Sequence, residues 1–174
     1  MEFFEVVRKR RSIRQFTNQP VEKEKIEQIL DAALRAPSAM AKRSVDVIAV
    51  TDRATLQKLA KAKPVGADFI AGAALAMVVI SDPEKSGPAI EDATIAAFSM
   101  QLAAQALGLS SCWAHIRGAE YDAEHSSCNY ICRELGIPYR LAVECVIAIG
   151  YAAEERRAYK PNELASNQLH YERF

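Results

Sequence analysis

The sequence predicts an α+β domain, and three observations carry that prediction. Segments of helical and of strand periodicity interleave along the 174 residues. The longest apolar run, Ala73 to Ile80, has strand length and no polar face, which predicts a central strand covered on both sides. The stretch AIEDATIAAFSMQLAAQAL at 89–107 predicts a helix with small side chains all round, buried centrally or at a subunit interface. With 50% of residues hydrophobic, a chain this long can bury its core as one domain, 1–174, without disulfides or metal.

Taken in order, Phe3, Phe4, Val6 and Val7 predict a short amphipathic helix ending at a basic cluster. Pro20 opens a second helix, in which Val21, Ile26, Ile29, Leu30, Ala33 and Leu34 keep the 3.6 period until Pro37 stops it. Ser38 to Ser44 is polar, basic and irregular. Val45 to Val50 reads as a strand, and Thr51 and Asp52 turn the chain into a helix carrying Leu56 and Leu59, broken at Pro64 to Gly66. After the central strand, a loop with Asp82, Pro83, Ser86, Gly87 and Pro88 leads to the alanine-rich helix, which Gly108 caps. Ser110 to Ile116 is a third strand or a loop, Ser126 to Leu135 a helix, and Leu141 to Tyr151 a long apolar strand. The tail, 152–174, carries charges and aromatics with little periodicity, which suggests that it wraps over something, a partner subunit among the options.

Lys+Arg and Asp+Glu balance at 22 each, so no global charge points to nucleic acid or an anionic membrane. No apolar segment follows the N-terminal charges as in a leader, and none approaches membrane-spanning length, so a cytoplasmic protein is expected. Cys112, Cys128, Cys132 and Cys145 make no disulfide framework. Cys128 and Cys132 stand four apart on a predicted helix and could face a metal with His125, but they read better as small packed hydrophobes, and no metal site is expected. The informative charge is local. In RKRRSIRQF, Arg8, Lys9, Arg10, Arg11 and Arg14 surround Ser12 with no acid between Val6 and Val21. Guanidinium groups bind phosphate oxygens bidentately, and a serine hydroxyl adds a donor of different geometry. The predicted ligand is a phosphate.

These pieces together resemble the nitroreductase family of flavin mononucleotide (FMN) enzymes over nearly the whole chain. The resemblance rests on RRSIRQF at 10–16, APSAM at 36–40, the alanine-rich helix from Glu91, ALGLSSCW at 106–113, AIGYAAEE at 148–155 and the terminal LHYERF. It implies an α/β/α sandwich with a mixed central sheet flanked by helices, assembled as an intertwined homodimer that holds FMN at the subunit interface. It also implies that the alanine-rich helix and the tail bury surface against the partner.

Carried over by position, the resemblance implies FMN phosphate and ribityl contacts from Arg10, Arg11, Ser12 and Arg14. A second cation is expected after the last strand, from Arg156, Arg157 or Lys160, with Arg157 favoured. Pro37, Ser38 and Ala39 match the loop that reaches the flavin ring of the other subunit. There the chain departs from its family: Ala41, Lys42, Arg43, Ser44 and Val45 replace a pattern of polar residues, proline and an aromatic. The asparagine amide is lost at Ala41. Arg43 either adds a cation near the pyrimidine end of the flavin, raising its reduction potential, or points to water. Trp113, Ala114 and His115 match the stretch along the ring, where a backbone N–H faces flavin N5. Trp113 is placed near the dimethylbenzene edge, and His115 is either a proton donor or structural. Glu91 and Asp92 open a helix, where carboxylates are favoured by the dipole alone, and His170 and Tyr171 are expected to pack across the dimer.

The implied activity is ping-pong: NAD(P)H delivers hydride to flavin N5, and an electron-poor small molecule such as a nitroaromatic, quinone or enone then takes the electrons. No Gly-x-Gly-x-x-Gly fingerprint is present, so the nicotinamide would bind only transiently over the flavin. Three other readings stay open. One is a flavin-binding electron-transfer, carrier or sensor protein without nicotinamide turnover. Another is a different reaction such as reductive dehalogenation or flavin destruction, and the last is a relic that binds nothing.

Overall fold

The computed structural model describes residues 2–174. Nine regular elements follow in chain order: α1 Phe3–Lys9, α2 Lys23–Leu34, β1 Val45–Val50, α3 Arg53–Leu59, β2 Leu75–Ser81, α4 Ala89–Ala106, β3 Ser110–His115, α5 Ser127–Leu135 and β4 Ala142–Gly150. Short 3-10 turns occupy Ala39–Ala41, Asp68–Gly72, Pro161–Glu163 and Ser166–Gln168.

The strands form one sheet in the order β1-β2-β4-β3. Every neighbouring pair is antiparallel. The mixture expected of the sheet is confined to one parallel bridge, Ser12 to Ser111, through which the chain after α1 joins the edge strand β3. The unbroken apolar run takes an interior place, as expected. Side chains alternate across a strand, so Leu75, Met77 and Val79 face one layer while Ala76, Val78 and Ile80 face the other. Both layers are apolar along 75–80; the polar residue of β2, Ser81 at its end, is buried and donates to Glu144 Oε1 (2.5 Å).

Helices α2 and α4 cover the first face, where Ile29, Ala97 and Met100 pack on Met77, Ile147 and Ile149. Helices α3 and α5, with the turn at 68–72, cover the second, where Leu56, Leu59, Ile70 and Ile131 pack on Val78 and Val146. Local signals set the helix limits. Asp52 caps α3 by accepting from the Thr55 N–H (2.8 Å), and Ser126 caps α5 by accepting from the Asn129 N–H (3.1 Å). Gly108, at φ 78°, ends α4 in the left-handed conformation that a side chain would disfavour.

The alanine-rich helix is buried on only one side by its own chain. Ala93, Ala97, Met100 and Ala104 are covered, whereas Ile90, Ile95 and Phe98 are 39%, 41% and 46% exposed. Phe3 and Phe4 are also exposed.

The cysteines behave as packing residues. Cys112, Cys132 and Cys145 are buried, and the Cys128 and Cys132 sulfurs lie 4.0 Å apart. Burial and the neighbouring Cys128 push the Cys132 thiol up to about 12, and burial pushes Cys145 well above its usual range. His125 turns instead to Asp122, with Nδ1 2.9 Å from Oδ1. Leu59 is fully buried in the α3–α5 layer. Leu59→Ala should cost about 3 kcal/mol in urea unfolding; a loss under about 1 kcal/mol would mean that this layer is loosely packed.

Candidate functional site

The basic segment leaves α1 in extended conformation and is fixed from both sides. Arg10 caps α1 through its N–H to the Val6 carbonyl (2.9 Å). Ile13, buried, donates its N–H to the Ser111 carbonyl (3.1 Å). Ser111 is itself held by the buried Gln101 side chain of α4, whose Nε2 donates to its Oγ (3.1 Å). Farther on, Phe16 pairs with Ala152, and a Cβ added at Gly150 would meet Phe16 Cδ1 at 3.1 Å. Glycine at that point lets the segment lie close to the end of β4. The Thr17 N–H then donates to the Tyr151 carbonyl (2.8 Å).

This pinning brings the start of the tail beside the basic run. Glu154 Oε1 accepts from the Arg14 N–H (2.6 Å) and the Gln15 N–H (3.3 Å), while its Oε2 lies 3.3 Å from Arg156 Nε. Those backbone bonds, followed by the Arg156 contact, hold the Glu154 carboxyl below its ordinary range. The result is an open cavity of about 230 Å³ lined by Arg10, Arg11, Ser12, Arg14, Arg156 and Tyr159. No carboxylate lines it. The Arg11 guanidinium lies 4.0 Å over the Tyr159 ring and donates to the Arg157 carbonyl, so it is oriented before any ligand arrives.

Arg157, the favoured second cation, lies beside the basic cavity and not in its lining. Its guanidinium makes a two-pronged pair with Glu163, at 2.6 and 2.5 Å, and lines an adjoining cavity that shares Arg11, Arg156 and Tyr159 with the basic one. The tail residue facing the basic cavity is Arg156. The signal for this was a carboxylate six residues beyond Arg157; Tyr159 and Glu154 also went unassigned in the sequence.

Trp113, Ala114 and His115 lie along β3, beyond the Ser111 anchor. Ala114 is buried on the α5 side, while Trp113 is half-buried on the α4 side. Their side chains therefore leave opposite faces of the strand. His115 is exposed at the strand's far end, about 13 Å from Ser111 at ~3.3 Å per residue. Its carbonyl accepts from Lys63 Nζ (3.1 Å).

The loop after α2 forms a separate site. Pro37, Ser38 and Arg43 line a groove of about 490 Å³ with Leu30, Ala33, Val45, Val47 and Asp92. Ala39 sits at its rim in the 3-10 turn. Met40, Ala41 and Arg43 have φ of 51°, 54° and 50°, a left-handed region that non-glycine residues enter at a cost of about 1–3 kcal/mol each. Such a conformation persists only where other contacts fix it. Asp92, 4% exposed, supplies several: Oδ1 accepts from the Ala39 N–H (2.9 Å), and Oδ2 accepts from the hydroxyls of Ser44 (2.8 Å) and Ser86 (3.4 Å). The Arg43 N–H donates to Ser38 Oγ (3.1 Å). Asp92 does lie in the first turn of α4, where its charge suits the dipole, but the loop it binds went unseen in the sequence. Within one chain the basic cavity and this groove share no lining residue.

The chain belongs to the nitroreductase family, whose model matches residues 7–63 and 60–151. It is similar in structure to an FMN-dependent nitroreductase of Clostridium difficile R20291, 42% identical, with 98% of this chain and 99% of that one covered at a TM-score of 0.96. A protein of Methanothermobacter thermautotrophicus named "Putative NADH dehydrogenase/NAD(P)H nitroreductase" is 34% identical over 88% of this chain and 79% of its own length. The fold is also that of an NADPH:FMN oxidoreductase of Vibrio harveyi, 24% identical, with 99% and 77% covered at a TM-score of 0.82.

The Arg157 pairing can be checked directly. The guanidinium, then the Lys160 N–H, lowers the Glu163 carboxyl from 4.5 to about 2. A folded value below the unfolded one means the pair is fully present above pH 4.5 and is lost as pH falls through about 2. Carbon-detected NMR should show Glu163 titrating near pH 2; a midpoint near 4.5 would mean that Arg157 is free to turn to the basic cavity.

Proposed function

We propose that this chain is an FMN-dependent oxidoreductase that takes hydride from NAD(P)H and passes electrons to an electron-poor small molecule, a nitroaromatic, quinone or enone. The observation that carries the reading is the cavity of Arg10, Arg11, Ser12, Arg14 and Arg156, lined by cations and a hydroxyl with no carboxylate. That donor set fits a dianionic phosphate ester, and the family and the FMN named for the C. difficile protein suggest which one. FMN, when bound, supplies the two-electron redox chemistry.

The chain's own residues bind and orient. The guanidinium groups and Ser12 hold the phosphate, and the extended segment fixes their spacing against β3. Because β3 is an edge strand, N–H groups on its outer side lack a strand partner among the described residues. Beyond Ser111 they can face the ring near Trp113, Ala114 and His115, which favours a role for this stretch through its backbone. The exposed His115 ring remains available to donate a proton to reduced substrate. Pro37, Ser38, Ala39 and Arg43, remote from the cavity in one chain, would meet the ring of a second chain.

A homodimer supports that arrangement. Residues 161–174 are exposed throughout, the apolar side chains of Leu169, Tyr171 and Phe174 among them. Phe98 and Ile95 on α4 are also exposed, 46% and 41%. A second copy would cover them.

Purified protein should be yellow, and anaerobic NADH or NADPH should bleach it, with a quinone restoring the colour. A flavin that binds yet is bleached by neither nicotinamide would favour the carrier or sensor reading. Arg156→Ala should weaken FMN binding by roughly tenfold or more, as expected for a lost charge-assisted bond. Arg157→Ala should weaken it less than about threefold in the same fluorescence titration, and the reverse order would assign the second cation to Arg157.

A further inference from the structure

We infer that Asp92 is a positioning residue: its buried carboxylate locks the loop from Ser38 to Ser44 in the strained shape that this loop presents to the ring of the neighbouring subunit's cofactor. The loop's contact with that ring rests on the function proposed above; the lock itself does not. Asp92 is 4% exposed, and its charge is met by three donors from three different segments. The Ala39 N–H comes from the loop itself, the Ser44 hydroxyl from the point where the loop enters β1, and the Ser86 hydroxyl from the turn before α4. Arg43 is tied in turn to Ser38.

The energetics require such a lock. Met40, Ala41 and Arg43 all occupy the left-handed region within four residues, with no glycine among them to relieve the cost. The loop side chains offer little burial in return: Met40 is 88% exposed, and Ala41, Lys42 and Arg43 are exposed. Hydrogen bonds to a buried carboxylate are stronger than neutral ones, and they are made at both ends of the strained turn. An uncharged side chain at position 92 would free the turn to relax, and the groove edge formed by Pro37, Ser38 and Arg43 would go with it.

The chain carries its own probe, because Lys42 and Arg43 are trypsin sites inside the loop. The test compares wild type, Asp92→Asn and Ser44→Ala as full-length protein, with and without FMN. Asparagine keeps the shape, but its amide cannot accept from all the donors that the carboxylate serves. Asp92→Asn should be cut after Lys42 or Arg43 at least tenfold faster than wild type, and Ser44→Ala about threefold faster. Equal cutting of wild type and Asp92→Asn would overturn the lock. If Asp92→Asn does not fold, Ser44→Ala decides the same question by the same rates.

The second arm reads the ring. With the phosphate grip intact, Asp92→Asn should lose less than about fivefold in FMN affinity. Its visible circular dichroism from bound flavin should change, and KM for a quinone acceptor should rise at least fivefold while kcat falls less. A loop freed to trypsin with unchanged flavin dichroism and unchanged KM would overturn the positioning role. If wild-type protein binds no FMN, the cofactor reading fails, and the proteolysis arm still decides the lock.

Discussion

Guanidinium groups that share one cavity repel one another unless negative charge lies between them. Arg10, Arg11, Arg14 and Arg156 line one cavity with Ser12 and Tyr159, and Glu154, the carboxylate close to them, reaches only Arg156 among their guanidinium groups. Nothing in their own backbone conformation requires it. They are brought together because the segment after α1 is stitched to β3 at Ser111 and because Glu154 clasps the Arg14 and Gln15 amides. The rest of the sheet serves this placement: β4 delivers Glu154 and Arg156, and β3 supplies Ser111. A scaffold that gathers four guanidinium groups around one carboxylate keeps an excess of positive charge and favours an anion, and phosphate suits the forked geometry of arginine.

The same chain leaves two other features incomplete. Its tail runs out along 161–174 with every residue exposed, and the groove edged by Pro37, Ser38 and Arg43 shares no lining with the basic cavity. The homodimer proposed above would account for both, with the loop of one chain approaching the ligand of the other and the tail covering the partner. The loop's strain fits that account. Three left-handed non-glycine residues are costly in an isolated surface turn, but a fixed shape lowers the ordering cost of meeting a rigid ring.

Much of this was legible in the amino-acid order. The double-sided apolar run at 73–80 announced β2, and the breakers at Pro37 and Gly108 fall just beyond the ends of α2 and α4, whereas α3 ends at Leu59, before Pro64 is reached. The basic cluster was legible because a run of like charge is visible in one dimension, and Arg10, Arg11, Ser12 and Arg14 do line one cavity. What stayed hidden depends on partners far apart in sequence. Arg157 and Arg156 are adjacent and chemically identical, and only their partners separate them, Glu163 for the first and Glu154 for the second. Asp92 looks like an ordinary helix-start acid until Ala39 and Ser44, 53 and 48 residues away, are seen to converge on it. The alternation that sends Trp113 and Ala114 to opposite faces was available, since Ser110 to Ile116 reads as a strand or a loop, but it follows only once the strand is fixed.

The central claim is that the arginine cavity grips a phosphate, and comparing FMN with riboflavin isolates that grip because the two differ only by the phosphate. Titration of apo-protein by flavin fluorescence should give an affinity for FMN at least a hundredfold above that for riboflavin. In Arg10→Ala/Arg14→Ala the gap should shrink to within about tenfold. Equal binding of the two flavins by the wild-type protein would contradict the account.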